Sequence, residues 1–266
     1  MRDCVGYPCV LRLIFLRRKR MRHRQEFRSL ERMSIASNLA SIRERMAVAA
    51  RRAGRDPSDI ALMAVSKAQP VEVILAAHDA GHRLFGENRV QEFAEKRPRL
   101  AMLAGAEFHM IGHLQSNKAP KAAEVFQAVD SVDSAKLAQK LDDAAQAKGK
   151  TLDVLIEVNV GGEAVKSGVA PESPEIVSIL SQAPAWKNLR IRGLMTVPPL
   201  TNDPEGARPY FRKLRELRDR LATGNLPWVS LDVLSMGMSH DFEVGIEEGS
   251  TCVRIGTAIF GERPTP

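Results

Sequence analysis

Apolar residues from Ser34 onward recur in two alternating rhythms, short continuous runs and longer stretches of helical period. The spacing of Leu39, Ile42, Met46 and Ala49 or Ala50 predicts a first helix over about Ile35 to Arg52, stopping at Gly54. Eight candidate strands follow: Ile60 to Val65, His82 to Phe85, Glu107 to Ile111, Ala128 to Val132, Leu152 to Val158, Ile191 to Thr196, Leu231 to Leu234, and Cys252 to Ile255. Helical stretches separate them, near Val71 to Asp79, Val90 to Leu100, Lys118 to Glu124, Ser134 to Lys148, Pro174 to Gln182, Glu205 to Ala222 and Asp241 to Glu247. In the helix over Glu205 to Ala222, Phe211, Leu214, Leu217 and Leu221 form a core face. Arg212, Lys213, Arg215, Arg218 and Arg220 fill the solvent face, with Glu216 and Asp219 interspersed.

Strand and helix alternating without a Gly/Ser linker or an internal repeat is the mark of βα units in one domain, spanning residues 33–266. Eight such units close naturally as a (β/α)8 barrel of the TIM type carrying an extra N-terminal helix; by count alone, an open doubly wound sheet is the alternative. The unusual residues favour the barrel, because they sit where the strands end. They are Ser66-Lys67, Gly86-Glu87-Asn88, Gly112 to Gln115, Asn159, Met195-Thr196, Ser235-Met236-Gly237 and Gly256-Thr257. In a barrel those ends share the face on which active sites are built.

Composition changes this picture little, since 44% hydrophobic and 27% charged residues are ordinary for a globular chain. The formal charge of +7 changes it more, because of where the charge lies. Residues 1 to 32 hold ten Lys/Arg against three Asp/Glu, and the rest of the chain carries 29 of each sign. The basic excess therefore belongs to an N-terminal extension and says nothing about the barrel, which with 5% aromatics also lacks stacking surfaces for nucleic acid. That extension is too short in its apolar part, Val10 to Leu16, to span a membrane. It also places its charges after the apolar run, the reverse of a secretory signal. A disordered arm, a surface-binding patch and a misassigned start with Met33 as the true beginning are the readings left. Cys4, Cys9 and Cys252 form no disulfide or zinc pattern, which suits a reducing, cytoplasmic setting, and Cys252 reads as a small buried side chain.

Chemistry enters with Lys67. It follows the apolar run Ile60 to Val65, so its stem starts at the barrel rim, where desolvation lowers a lysine pKa and frees the amine for Schiff-base formation. Two small-residue loops, one within Leu234 to Asp241 and one after Ile255, suit a phosphate, and phosphate sites recur after strands seven and eight of such barrels. Arg254, inside the last strand, should face the pocket or a carboxylate, and one role open to it is at the pyridine nitrogen of pyridoxal 5′-phosphate (PLP). An arginine yields no proton readily, so such a cofactor would be a weak electron sink unless a strong second base were present. Candidates for that base are His78, His82, His109, His113 and His240; no tyrosine lies near a strand end.

These segments resemble a known family. Ala64-Val65-Ser66-Lys67, Phe85 to Glu92, Phe108 to Lys118, Gly193-Leu194-Met195, Leu234 to Ser239 and Gly249 to Gly261 are similar, in order, to the pyridoxal phosphate homeostasis proteins of the YggS/PROSC type. The resemblance covers about Met33 to Gly261. It implies a barrel like the N-terminal domain of alanine racemase, PLP as cofactor, and Lys67 as the Schiff-base lysine. It further implies PLP contacts at Asn88, Met195, Ser235, Met236, Ser239, Arg254, Gly256 and Thr257, with Arg254 facing the pyridine nitrogen. The family has no established enzymatic activity, so the expected role is vitamin B6 homeostasis and amino-acid and keto-acid balance without turnover. The alternative is a PLP-dependent, racemase-like enzyme. On partners, the expectation is a monomer that binds PLP, with PLP-dependent apo-enzymes as recipients and neither nucleic acid nor membrane. Deleting residues 1 to 32 is expected to leave folding and PLP uptake unchanged, as circular dichroism and PLP titration of the shortened chain would show; an insoluble or cofactor-free product would assign the extension to the domain.

Overall fold

The computed structural model describes residues 34–262 apart from 164–166, 225 and 227. The readings of the basic extension, with Cys4 and Cys9, lie outside the described residues. Helix α1 covers residues 34–52 and buries Ile35, Leu39, Ile42, Met46, Ala49 and Ala50, the face read from its spacing. Its end is a Schellman turn: Gly54 takes φ +66°, its N–H donates to the Arg51 carbonyl, and the Arg55 N–H donates to the Ala50 carbonyl.

Eight parallel strands follow, β1 (Ala61–Val65), β2 (Leu84–Glu87), β3 (Glu107–Met110), β4 (Ala128–Val132), β5 (Leu152–Glu157), β6 (Leu189–Met195), β7 (Val233–Met238) and β8 (Cys252–Ile255). They pair in sequence order, and β1 pairs β8 with Met63 opposite Arg254 and Ala64 opposite Ile255, so the sheet is a closed barrel and not an open one. The crossover helices are α2 (Val71–Asp79), α3 (Val90–Leu100), α4 (Ala119–Val125), α5 (Ala135–Ala147), α6 (Pro174–Gln182), α7 (Arg208–Ala222) and α8 (Phe242–Glu247), with a last short α9 (Thr257–Phe260).

Alternation along each strand divides the core in two. Leu62, Ala64, Val154, Ile156, Leu234 and Val253 join the large cluster between barrel and helices. Their neighbours Met63, Val65, Leu155, Met195 and Cys252 are equally buried but stand outside that cluster, which assigns them to the barrel lumen. Three strands differ from the sequence reading by two residues or more, and the helix read from Glu205 begins at Arg208. Strand β2 begins and ends two residues later, β6 starts at Leu189, and β7 runs on through Ser235, Met236 and Gly237, which read as a loop. The cause in β7 is a bulge, with Ser235 opposite Cys252 but Met238 opposite Arg254, and Gly237 at φ +96° inside it.

Where β6 meets β7, Gly193 leaves no room for a side chain, since a Cβ there would lie 1.9 Å from the Val233 carbonyl oxygen. Gly193→Ala is therefore expected to cost more than about 3 kcal/mol of stability in denaturant unfolding; a loss under about 1 kcal/mol would contradict this packing.

Candidate functional site

The C-terminal ends of β1, β2, β6, β7 and β8 bring the sequence-selected residues to one mouth of the barrel. Lys67 stands two residues past β1 and is half-buried, while Ser66 before it is fully buried. Asn88 follows β2 directly, and the Asn88 main chain approaches Gly112 so closely that a Cβ at residue 112 would fall 2.4 Å from its carbonyl oxygen. Met195 closes β6 with no exposure. Ser239 lies in the turn from β7 to α8, which is fastened by the Asp241 carboxylate accepting the Met238 N–H at 2.6 Å and by the Asp241 N–H donating to the Met238 carbonyl. Gly256 caps α9 and Thr257 begins it, so the early N–H groups of that turn lack partners within the helix. One selected residue is turned away: Met236 packs with Leu234 in the layer between barrel and helices, leaving only its main chain to the mouth.

Arg254 is the central charge. It is 4% exposed, and its guanidinium donates to Ser235 Oγ and to the Thr196 carbonyl, each at 2.7 Å. Ser235 thereby gains a role that its place after an apolar run did not suggest. Burial lowers the Arg254 pKa, while Cys252 and the carboxylates of Asp130, Glu157 and Asp241 oppose that shift. Two buried polar atoms, Asn88 Oδ1 and Glu157 Oε2, have no hydrogen-bond partner among the described residues. Buried polar atoms are rarely left so. Apolar walls from Val65 and Met195, a guanidinium, and small-residue turns at β7 and α9 fit a flat, anionic, aromatic cofactor.

Glu157 was passed over in the sequence, although the signal that found Arg254, a charge inside an apolar strand, applies to it equally. It closes β5 at 8% exposure, and burial, then the neighbouring Asp133, push its pKa up to about 7 against the pull of Arg254. The histidines divide. His109 pairs with Asp130 at 3.1 Å and lines a cavity of about 200 Å³ with the strand starts Ala61, Leu84 and Val233, so it belongs to the barrel floor, away from Lys67. Burial alone would strip its proton, but Asp130, helped by Glu107, carries its pKa up to about 10. His82 is buried and falls to about 4, and His78 bonds the Ala104 carbonyl. At the mouth, His113 is exposed and its Nδ1 lies 3.3 Å from the Asp133 carboxylate. Burial holds the Cys252 thiol up to about 12, which makes it inert. Among the described residues no cluster of His, Cys, Asp and Glu could hold a metal ion, and no helix is long and apolar enough to cross a membrane.

Glu157 makes stability depend on pH in a definite direction. Between about pH 4.5 and 7 the folded chain keeps a proton that the unfolded chain has lost, so stability falls as pH rises through that window. Glu157→Gln is expected to match the native chain near pH 5 and to exceed it by about 3 kcal/mol at pH 8 in paired denaturant melts. Parallel stability curves for the two would contradict it.

Comparison with known proteins identifies the family and agrees with the fold. The family described as alanine racemase, N-terminal domain, matches residues 37–264. The pyridoxal phosphate homeostasis protein of Aquifex aeolicus is 47% identical over 232 residues, 87% of this chain and 99% of its own length. PipY of Synechococcus elongatus, solved with PLP bound, is 36% identical with a TM-score of 0.75, covering 85% of this chain and all of PipY. An alanine racemase of Clostridium difficile shares the fold at 17% identity, with a TM-score of 0.64 over 78% of this chain and 56% of the racemase. The chain belongs to the family of the alanine racemase N-terminal domain and, within it, to the pyridoxal phosphate homeostasis proteins.

Proposed function

We propose that the chain binds PLP covalently through Lys67 at the C-terminal mouth of the barrel and keeps it for vitamin B6 homeostasis in the cytoplasm. The observation that carries this reading is the placing of Lys67 just past the end of β1 and of Arg254 on β8, the strand that pairs with β1, together with the buried atoms of Asn88 and Glu157 that have no partner among the described residues. PLP, when bound, supplies an aldehyde that a lysine amine can hold and a ring that draws electrons toward its nitrogen. Lys67 would hold the aldehyde end. Ser239, Gly256 and Thr257 would take the phosphate with hydroxyls and N–H groups, and Asn88, Met195, Ser235 and the Met236 main chain would border the ring.

Arg254 supports holding over turnover. Its guanidinium has no proton to give, so at the ring nitrogen it would keep that nitrogen neutral and limit stabilisation of negative charge on a bound amine. The chain would then act as a monomer that stores PLP or passes it to PLP-dependent apo-enzymes, with neither nucleic acid nor membrane as a partner.

One observation favours a second reading, a racemase-like enzyme. Glu157, with its pKa near 7 beside Arg254, has the properties of an acid–base group. A single set of measurements separates the two. The purified chain should take up one PLP with the yellow absorbance of a lysine adduct, and Lys67→Ala should lose it. Amino-acid racemisation should stay at background in the native chain and in Glu157→Gln alike. An unchanged band in Lys67→Ala would overturn the binding site, and racemisation lost in both variants would establish the second reading.

A further inference from the structure

The turn that carries Lys67 is bent in a way its sequence disfavours. Ala68 has φ +56°, the one non-glycine residue with positive φ among the described residues, and a side chain crowds the backbone in that region. Such a conformation persists only where its surroundings hold it. One bond is local, the Gln69 N–H donating to the Ser66 carbonyl at 3.1 Å, and the side-chain holding groups come from the next βα unit. The Ala68 N–H donates to Glu92 Oε1 at 2.7 Å, and Lys96 Nζ pairs with the same oxygen at 2.7 Å from one turn further along α3. Lys96 also donates to Glu87 Oε1 at 3.1 Å and to the Ser66 carbonyl at 3.2 Å, and Ser66 Oγ donates to Glu87 Oε1 at 2.8 Å. Ser66 and Glu87 are both fully buried, and Lys96 is nearly so.

Two peptide groups flank the Lys67 Cα, and this cluster grips both. Lys96 takes the carbonyl of the first, and Glu92 takes the N–H of the second. Fixing both planes fixes the direction in which the Lys67 side chain leaves the backbone. Charge-assisted bonds of this kind are about twice as strong as neutral ones, and Lys96 keeps each carboxylate oriented. We propose that Glu92 and Lys96 are positioning residues for the Lys67 amine, a clamp that holds the left-handed turn at Ala68 so that the amine is aimed into the mouth before any ligand arrives. The inference rests on the reading of Lys67 as the PLP-bearing residue.

Glu92 is the residue to test, since it is partly exposed and its removal leaves Lys96 paired with the buried Glu87. Glu92→Ala should weaken PLP affinity in the full chain about tenfold, equal to about 1.4 kcal/mol. It should also speed amide hydrogen exchange at Ala68 about tenfold in the PLP-free protein. Glu92→Gln, which keeps an acceptor for Ala68, should stay within about threefold of native on both measures. Adding Ala68→Gly to Glu92→Ala should recover about threefold in affinity, because glycine adopts positive φ without penalty. Native affinity in Glu92→Ala, or no recovery with Ala68→Gly beside an equal fall in melting temperature, would overturn the clamp and leave Glu92 a stability residue. If the native chain takes up no PLP at Lys67, the proposed function fails instead. The exchange arm still decides the clamp, with fast exchange at Ala68 in the native chain overturning it.

Discussion

Everything at the mouth depends on the pairing of β1 with β8. That one ladder, with Met63 opposite Arg254, joins the first and last strands of the barrel and brings the end of β1, which leads into Lys67, beside the strand that carries Arg254. A parallel sheet left open at this edge would expose both strands and separate the two residues by the width of the sheet. The extra helix α1 braces the join from outside. Asn38 donates to the Ile259 carbonyl, and Arg45 and Arg52 pair with Glu243 and Glu247 of α8. The N-terminal helix is thus tied to the last two βα units, beside the ladder that assembles the site.

The lumen is graded from floor to mouth. At the floor, His109 and Asp130 satisfy each other, a buried pair whose worth lies in being complete. At the mouth, Arg254 is bonded on two sides but surrounded by more carboxylates than it bonds, and Glu157 keeps an oxygen without a partner. Folding gains nothing from that oxygen, and a ligand could. The same division separates His109 on β3, at the barrel floor, from Arg254 on β8, toward the mouth, although both read alike in a list of strand residues.

Most of the barrel was legible because apolar runs and helical stretches alternate eight times, and packing rewards that pattern in every βα unit. Boundaries failed where a strand end carries polar or small residues. Glu87 turns to Lys96, Ser235 turns to Arg254, and Gly237 sits in a bulge, so β2 continues past Phe85 and β7 past Leu234. Short α9 has too few residues to show a period. In the site, Lys67 and Arg254 were visible because a charge abutting or interrupting an apolar strand is expensive, and Glu157 met the same criterion unnoticed. The clamp on Ala68 was not visible at all. Its members lie in three separate segments, and no local rule joins the N–H of residue 68 to a carboxylate on α3. His109 shows the opposite failure, a plausible base by residue type that the register places at the wrong end of the barrel.

The central claim is that one particular amine, that of Lys67, holds the cofactor. Borohydride reduction of the PLP-loaded chain followed by peptide mapping tests it most directly. The account predicts a single phosphopyridoxyl group, on the peptide containing Ser66-Lys67-Ala68. Labelling at another lysine instead, or no label on a chain that has visibly bound PLP, would contradict it.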